Sequence, residues 1–386
     1  MKEFLSSGDV YFEAVKGVGD IHLTLSPEER VYTFIGENGI GKTKLLESLF
    51  SVLLLSHSGA LSSSHSFIDK KLLPFAKAKL ANQTLSFETM PEGAASPQYA
   101  HFSGNKHSLP IVYLSAQQRG VVDRANTTIR SLGNRKQRLE EYLTYLFEAF
   151  YAKSEKLKSL NMDTHIEEWF IQRAQSANPY QAKEDNRAIE IKTLLALLHQ
   201  VDNRVDTEFL EISGDNRVFI EVNKVKTELA NLSSGFSSIL KILQSIIAGY
   251  SYFTNETQIA QVRGIVLIDE IESHLHNKWQ VHIIPLLKQL FPNTTFFITT
   301  HSSLVISQLK TGEAYRLIRN QTTGILEAQQ IESPSKVSFI DLLNDAFDVD
   351  LNQLKIQTAI DEGQEGAKRA LLALVEKELA QMEGGK

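Results

Sequence analysis

Hydrophobic and polar positions change their period several times along this chain, and each change marks a predicted element. Val10-Tyr11-Phe12-Glu13-Ala14-Val15 and Ile21-His22-Leu23-Thr24-Leu25 are short β-branched and aromatic runs separated by Gly17 and Gly19, and they predict two opening strands. Pro27-Glu28-Glu29-Arg30 predicts a turn into Val31-Tyr32-Thr33-Phe34-Ile35, expected to be a buried strand. Lys44 to Leu53 then takes the spacing of a helix. The Ser-rich stretch 56–66 predicts a flexible loop carrying solvated His57 and His65. Thr84 to Glu88 is a strand candidate among Pro, Gly and Ser, and Ile111-Val112-Tyr113-Leu114-Ser115 predicts another buried strand.

From about 136 to 201 the period is helical, with Leu139, Leu143, Leu146, Phe147 and Phe150 on one face. Thr164 with Glu167 reads as a capping box for a second helix, and a third runs from about Ala182 to Gln200. Tyr145, Trp169 and Phe170 are expected in the core of this arm, which is too short for a long coiled coil. Strands return at 208–213 and 217–222 around the turn Gly214-Asp215-Asn216, followed by an apolar helix reaching about Ala248. Gly264 to Ile268 predicts a fully buried strand ending in two acids. A helix bent or interrupted near Pro285 leads to the strand Thr294 to Thr300, which ends at His301. Strands around 314–319 and 323–329 are expected to close the sheet. After Ser333-Pro334 the pattern is helical, with an Ala/Leu/Glu/Lys-rich segment from Glu365 to Met382.

The chain has 386 residues, enough for one large or two ordinary domains, and its 42% hydrophobic and 22% charged content is ordinary for a globular protein. It has no cysteine, which excludes disulfides, thiolate zinc sites and cysteine nucleophiles and suits a cytoplasmic location. The first ten residues lack the apolar core of a signal peptide, and no run approaches the roughly 20 apolar residues of a membrane span, so no membrane partner is expected. The net charge of −6 gives no global nucleic-acid footprint. Residues 119–138 depart from it, carrying Arg119, Arg124, Arg130, Arg135, Lys136 and Arg138 against Asp123. That stretch could grip DNA, RNA or an acidic partner, although a solvated face at the start of a helix, or an arginine near a nucleotide, is the stronger reading.

Candidate chemistry begins with Gly36-Glu37-Asn38-Gly39-Ile40-Gly41-Lys42-Thr43, which fits G-x-x-x-x-G-K-[ST] between a predicted strand and helix. The glycines let successive N–H groups face one anion, Lys42 reaches the β- and γ-phosphates, and the Thr43 hydroxyl ligates Mg²⁺. Asn38, Gly39, Gly41, Lys42 and Thr43 are therefore the expected nucleotide contacts, implying ATP and Mg²⁺ as ligands. Asp269 and Glu270 stand at the end of a buried strand, where the first carboxylate holds the metal and the second polarises an attacking water. His301 ends the next strand, where an imidazole can hydrogen-bond a γ-phosphate or that water. Tyr11 or Phe12 could stack on adenine, although core packing is the stronger reading.

In this order and spacing the elements resemble the ABC-type ATPases, including SMC-like and RecF-like proteins. Gly36 to Thr43 resembles Walker A, Leu232-Ser233-Ser234-Gly235 the LSGG signature, Ile265 to Glu270 Walker B, and His301 the switch histidine. Gln117 or Gln118 resembles the Q-loop glutamine that senses Mg²⁺ and γ-phosphate. The resemblance implies an α/β P-loop NTPase fold of ABC-ATPase type. Its mixed central sheet would have an N-terminal antiparallel portion, a helical insertion and a helical C-terminal tail. The expected divisions are 1–120 and 206–332 for the two parts of the head, 121–205 for the insertion and 333–386 for the tail. It also implies Lys42, Glu270 and His301 as catalytic residues and Thr43, Asp269 and Gln117 as metal contacts. Ser233, Ser234 and Gly235 would be offered to the nucleotide of a second head, hence a homodimer or higher homo-oligomer. Phe236 stands where the signature commonly has Gln or Glu.

Glu270-Ile271-Glu272-Ser273-His274-Leu275-His276 with Trp279-Gln280 is similar to a subgroup of compact ABC-type ATPases in bacterial immunity, those of Septu, retron-linked Septu-like, PARIS and OLD-like systems. Asn277 and Ser303 replace two prolines of that pattern, and His274 and His276 fall where the subgroup's D-loop faces a partner head. The resemblance implies an ATPase controlling a separately encoded effector, a nuclease or toxin, in antiphage defence. The alternatives are a RecF-like DNA-maintenance ATPase binding DNA through 119–138, and a non-hydrolysing nucleotide-dependent scaffold or transporter head. Asp348-Val349-Asp350 mimics the DxD of an OLD-like nuclease but is read as a turn between helices.

Overall fold

The computed structural model describes residues 8–61, 67–69, 73–80, 83–86, 95–97, 106–122, 129–151, 156–162 and 165–336, together with Leu372. The strands are β1 (Asp9–Val15), β2 (Gly19–Thr24), β3 (Val31–Ile35), β4 (Phe67–Asp69), β5 (Lys77–Leu80), β6 (Gln83–Ser86), β7 (Ala95–Pro97), β8 (Ile111–Leu114), β9 (Val205–Ile212), β10 (Val218–Val222), β11 (Val225–Glu228), β12 (Gly264–Ile268), β13 (Thr294–Thr299), β14 (Ala314–Arg319) and β15 (Leu326–Gln330). The helices are α1 (Lys42–Ser56), α2 (Ser58–Leu61), α3 (Arg135–Tyr151), α4 (Ile166–Gln175), α5 (Ala188–Val201), α6 (Ser234–Phe253), α7 (Asn277–Leu290) and α8 (Ser303–Ile306). Two compact units divide the chain, Met1–Ser335 and Lys336–Lys386. The expected helical tail, including Asp348 to Asp350, lies outside the described residues.

A ten-stranded sheet in the order β6-β5-β1-β2-β15-β14-β3-β13-β12-β8 organises the first unit. Its two ends differ for a reason visible in the residues. β3, β8, β12 and β13 are buried at every position, as strands covered on both faces must be, and they pair in parallel. β1 and β2 alternate buried and more exposed positions and pair antiparallel, with one face on the core. β14 and β15, expected to close the sheet, instead join its two parts. β14 pairs in parallel with β3, and β15 pairs antiparallel with β14 and in parallel with β2. Parallel pairing brings the carboxyl ends of β3, β8, β12 and β13 to one edge, where the P-loop, Gln117, Asp269-Glu270 and His301 all follow.

Helix α6 is buried along almost its whole length and packs on β8, α3 and α5. It runs to Phe253, past the expected end, because Gly249 here is a point of close approach: a Cβ on it would lie 2.4 Å from Val112 Cγ2. The third helix of the arm begins later than expected. Asn178 and Asn186 accept from the N–H groups of Tyr180 and Ala188, holding the preceding residues in turns. Thr164 lies outside the described residues. His165 is the N-cap of α4, and the buried Glu167 accepts from Val218 N. Trp169 and Phe170 are buried, and Tyr145 packs against the core. β9, β10 and β11 form a separate antiparallel sheet, of which β11 carries no clear alternation in sequence. Pro285 sits on the exposed side of α7, which continues through it.

His57 corrects the expectation of a solvated loop. It is 3% exposed, edge-on to His107 and Phe253, with Nδ1 accepting from Gly59 N at 3.0 Å. His65 lies outside the described residues.

Candidate nucleotide-binding site

The loop after β3 folds as its glycines dictate. Gly39 has φ +79° and Gly41 φ +121°, and a Cβ on Gly41 would lie 2.9 Å from both Val18 methyls. Helix α1 starts at Lys42, so its unpaired N–H groups open onto the loop. Lys42 is 5% exposed and donates to the carbonyls of Gly36 at 2.7 Å and Glu37 at 2.8 Å. Burial pulls its ammonium down to about 8, against the carboxylates of Glu270, Asp269 and Glu272, which hold it up. Asn38 and Gly39 are exposed at the loop tip.

Asp269 connects three strand ends. It accepts from Thr43 Oγ1 at 3.0 Å and from Thr299 Oγ1 at 2.6 Å, while its own N–H donates to Leu114 O. Burial raises its carboxyl above the usual range, opposed by those two hydroxyls. Glu270, the next residue, has φ +46°, its N–H donating to Thr299 Oγ1 at 2.8 Å. Such a backbone is costly for a residue with a Cβ and persists only where the surroundings over-determine it. Arg119 supplies much of that constraint. Fully buried, it donates to the main-chain carbonyls of Glu270 at 2.8 Å, Asp269 at 2.9 Å and Ser115 at 2.6 Å.

Glu272 reaches across to the end of β13, accepting from Thr300 Oγ1 and from the His301 N–H, both at 2.6 Å. This fixes the backbone of His301, whose imidazole is held below its usual range by burial and then by Lys42. A neutral imidazole can donate from one nitrogen and accept at the other. Lys42, Thr43, Asp269, Glu270 and His301 thus form one cluster. For magnesium the donor set fits: the Thr43 hydroxyl and the Asp269 carboxylate are hard oxygens already in contact. Among the described residues no group of three or more acidic or histidine side chains could hold a metal, so phosphate and water must supply the remaining positions.

Gln117 and Gln118 follow β8 and are both exposed. Gln118 has φ +62°, and its carbonyl accepts from Lys241 Nζ at 2.9 Å. Lys241 lies in α6, so this buried amine ties the loop after β8 to that helix. Ser233 is the N-cap of α6, its Oγ accepting from Phe236 N, and Ser233 and Ser234 are exposed. Phe236 is buried, so the departure from the usual signature is an inward-facing packing residue. His274 is exposed with φ +66° and covers Gly120, where a Cβ would lie 2.7 Å from His274 Cγ; His276 lies beside Gly235. Asn277 and Ser303 occupy the first position of α7 and α8, where proline would only preset φ, so both helices form without it.

Of the basic stretch 119–138, Arg119 and Arg138 are internal, which leaves fewer cations on the surface than the sequence suggests; Arg130, Arg135 and Lys136 are exposed, and Arg124 lies outside the described residues. Phe12 packs in the core against Phe75, whereas Tyr11 is half-buried and donates to Asp20 at 2.6 Å. Thr299 and Glu272 were not singled out by sequence. Their signal, a threonine and a second acid near paired strand ends, is too common to stand alone.

Residues 223–307 match the family described as "AAA domain, putative AbiEii toxin, Type IV TA system". A Septu protein PtuA of Bacillus mycoides (strain KBAB4) is 32% identical over 121 residues, 31% of this chain and 17% of that protein. A Septu protein PtuA of Bacillus thuringiensis is 22% identical over 326 residues, 78% of this chain and 74% of that one. The "Retron Ec83 probable ATPase" of Escherichia coli is 34% identical over 105 residues, 27% of this chain and 19% of that one. The matches thus span under a fifth of two of these relatives and about three quarters of the third. The SMC head domain from Thermotoga maritima is 12% identical, with a TM-score of 0.42, covering 84% of this chain and 98% of that one. Over these stretches the chain is homologous to Septu PtuA and to the retron-associated probable ATPase, with an AAA-domain match at residues 223–307.

Proposed function

We propose that this protein is an ABC-type ATPase that binds and hydrolyses ATP at head-to-tail dimer interfaces. In the cytoplasm it would control a separately encoded effector, a nuclease, in antiphage defence. The observation that carries the reading is the junction at Asp269: one carboxylate joins the Thr43 hydroxyl to the end of β13 and places Glu270 next to it in a constrained backbone. Lys42 would leave the carbonyls of Gly36 and Glu37 for phosphate oxygens, a charge-assisted exchange. Thr43, Asp269 and Gln117 would hold Mg²⁺, which when bound neutralises the phosphates and orients them. Glu270 would polarise the attacking water, and His301, neutral beside Lys42, would hydrogen-bond the γ-phosphate or that water.

Ser233, Ser234 and Gly235 open a twenty-residue helix whose N-terminal dipole favours an anion, and the two serines are exposed. Because Lys42 already holds the nucleotide of its own chain, a second copy's ATP is the anion these groups fit. The defence role and the effector rest on kinship with PtuA and the retron ATPases. Among the described residues no helix is long and apolar enough to cross a membrane.

Glu270→Gln tests the chemistry. ATP binding is expected to persist while phosphate release slows by about 10²-fold or more, since the phosphate contacts remain and water activation is lost. Turnover at the wild-type rate in that variant would contradict the assignment. The biological reading predicts that Lys42→Ala abolishes protection of cells challenged with phage; unchanged protection would count against it.

A further inference from the structure

Away from the nucleotide site, α3, α4, α6 and residues 130–132 line a half-open cavity of about 750 Å³. That volume lies in the range of small-molecule sites, about 300–1,000 Å³. Two obligate donors in its lining have no hydrogen-bond partner: Arg138 Nε, in a residue 1% exposed, and Trp169 Nε1, in a residue 5% exposed. His165 Nδ1, at the N-terminus of α4, is likewise unpartnered. A buried donor left unsatisfied costs about 1–3 kcal/mol, so several in one cavity need an explanation beyond packing.

The rest of the lining holds those donors in place. Arg138 is anchored at its other nitrogens, donating to Gly133 O at 2.8 Å and to Asn255 Oδ1 at 2.5 Å, with Asp185 at 3.7 Å. The Trp169 ring is covered by Arg173 at 4.9 Å, and Arg173 is itself bonded to the buried Glu190 at 3.0 Å. Neither group is free to turn elsewhere. Arg130 is exposed and brings a further cation to the lining, which also contains the acids Glu141 and Glu168. Arginine and indole nitrogens only donate, so the missing partner must present acceptor oxygens.

We propose that this cavity binds a small oxyanion-bearing ligand, a phosphate ester or carboxylate of mononucleotide size or less, whose oxygens accept from Arg138 Nε and Trp169 Nε1 with Arg130 supplying a further cation. The site is separate from the P-loop. Ser245 and Gly249 of α6 form part of its wall, and the same helix presents Ser233 to Gly235 at its other end. Taken with the proposed dimeric ATPase, an occupant would therefore stiffen the helix that carries the signature.

Binding can be tested without relying on ATP chemistry. The chain has two tryptophans, so Trp279→Phe leaves Trp169 as the sole tryptophan, excited selectively over tyrosine at long wavelength, and Lys42→Ala silences the P-loop. This double variant is titrated with inorganic phosphate, AMP and citrate, following heat and Trp169 emission. A saturable response to at least one probe is expected. Phosphate or AMP would identify a phosphoryl ligand, and citrate alone a carboxylate. Arg130→Gln and Arg138→Lys are each expected to weaken the response about tenfold, one charge-assisted contact, with the unfolding midpoint of Arg130→Gln unchanged. No saturable response to any of the three probes would overturn the proposal, as would binding that both substitutions leave intact.

Discussion

Arg119 and His57 are residues whose chemistry is set by neighbours far away in the chain. Arg119 is anchored to three carbonyls beneath Asp269 and Glu270, and burial pulls its guanidinium down to about 10. Arg119→Lys keeps a cation but loses the fork, leaving buried carbonyls without donors. Stability is expected to fall by roughly 2 kcal/mol or more in denaturant unfolding. Turnover should drop further than nucleotide affinity, because the backbone of Glu270 is what the fork holds; equal losses in both would argue for a merely structural role. His57 is pushed from 6.5 to about 3, chiefly by burial and then by His107. Its contribution to stability is fully present above pH 6.5 and is lost as pH falls toward 3, because the unfolded chain takes up a proton that the folded one refuses. The pH dependence of the unfolding midpoint between pH 7 and pH 4 should therefore be shallower in His57→Gln. An identical slope in the two proteins would exclude His57 as its source. In sequence, Lys42, Thr43 and Asp269 were legible because their pattern is local. Arg119 was read within a basic stretch and His57 within a polar loop, since burial by β12 and by Phe253 is not a local property.

At the scale of elements, α6 links the site to the rest of the head. Its N-terminus carries Ser233 to Gly235, its Lys241 bonds Gln118 O in the loop after β8, and Ser238 donates to Ser273 O at 3.2 Å. Gly249 lets this helix lie close to β8. Gly249→Ala would gain helix propensity, but the Cβ falls 2.4 Å from Val112 Cγ2, so a net loss of about 1–3 kcal/mol is expected. Urea unfolding checks this, and Val112→Ala should recover part of the loss in the double variant; a stabilised Gly249→Ala would refute the close approach. The buried runs 31–35, 111–114, 264–268 and 294–299 were legible as strands because both faces are covered. The position of β14 and β15 inside the sheet was not, because period reveals which face is buried and not which strand lies alongside. The end of α6 was misplaced for a related reason: a glycine that stops a helix and one that admits a neighbour look alike in sequence.

For the whole molecule, half of the proposed site lies at the carboxyl edge of the sheet and the other half, the exposed start of α6, awaits a second copy. Two substitutions separate these halves. Lys42→Ala removes nucleotide binding and leaves the signature intact. Ser234→Arg, at an exposed position, leaves the P-loop intact and blocks the surface offered to a partner. Each alone should be inactive in ATP hydrolysis, and Ser234→Arg should still bind ATP. Mixed in equal amounts, they form mixed dimers in which one of two sites combines an intact P-loop with an intact signature. The mixture should regain about a quarter of wild-type phosphate release if subunits pair at random across a two-fold interface. A mixture as inactive as its components, or full activity of Ser234→Arg alone, would contradict a nucleotide site shared between two chains.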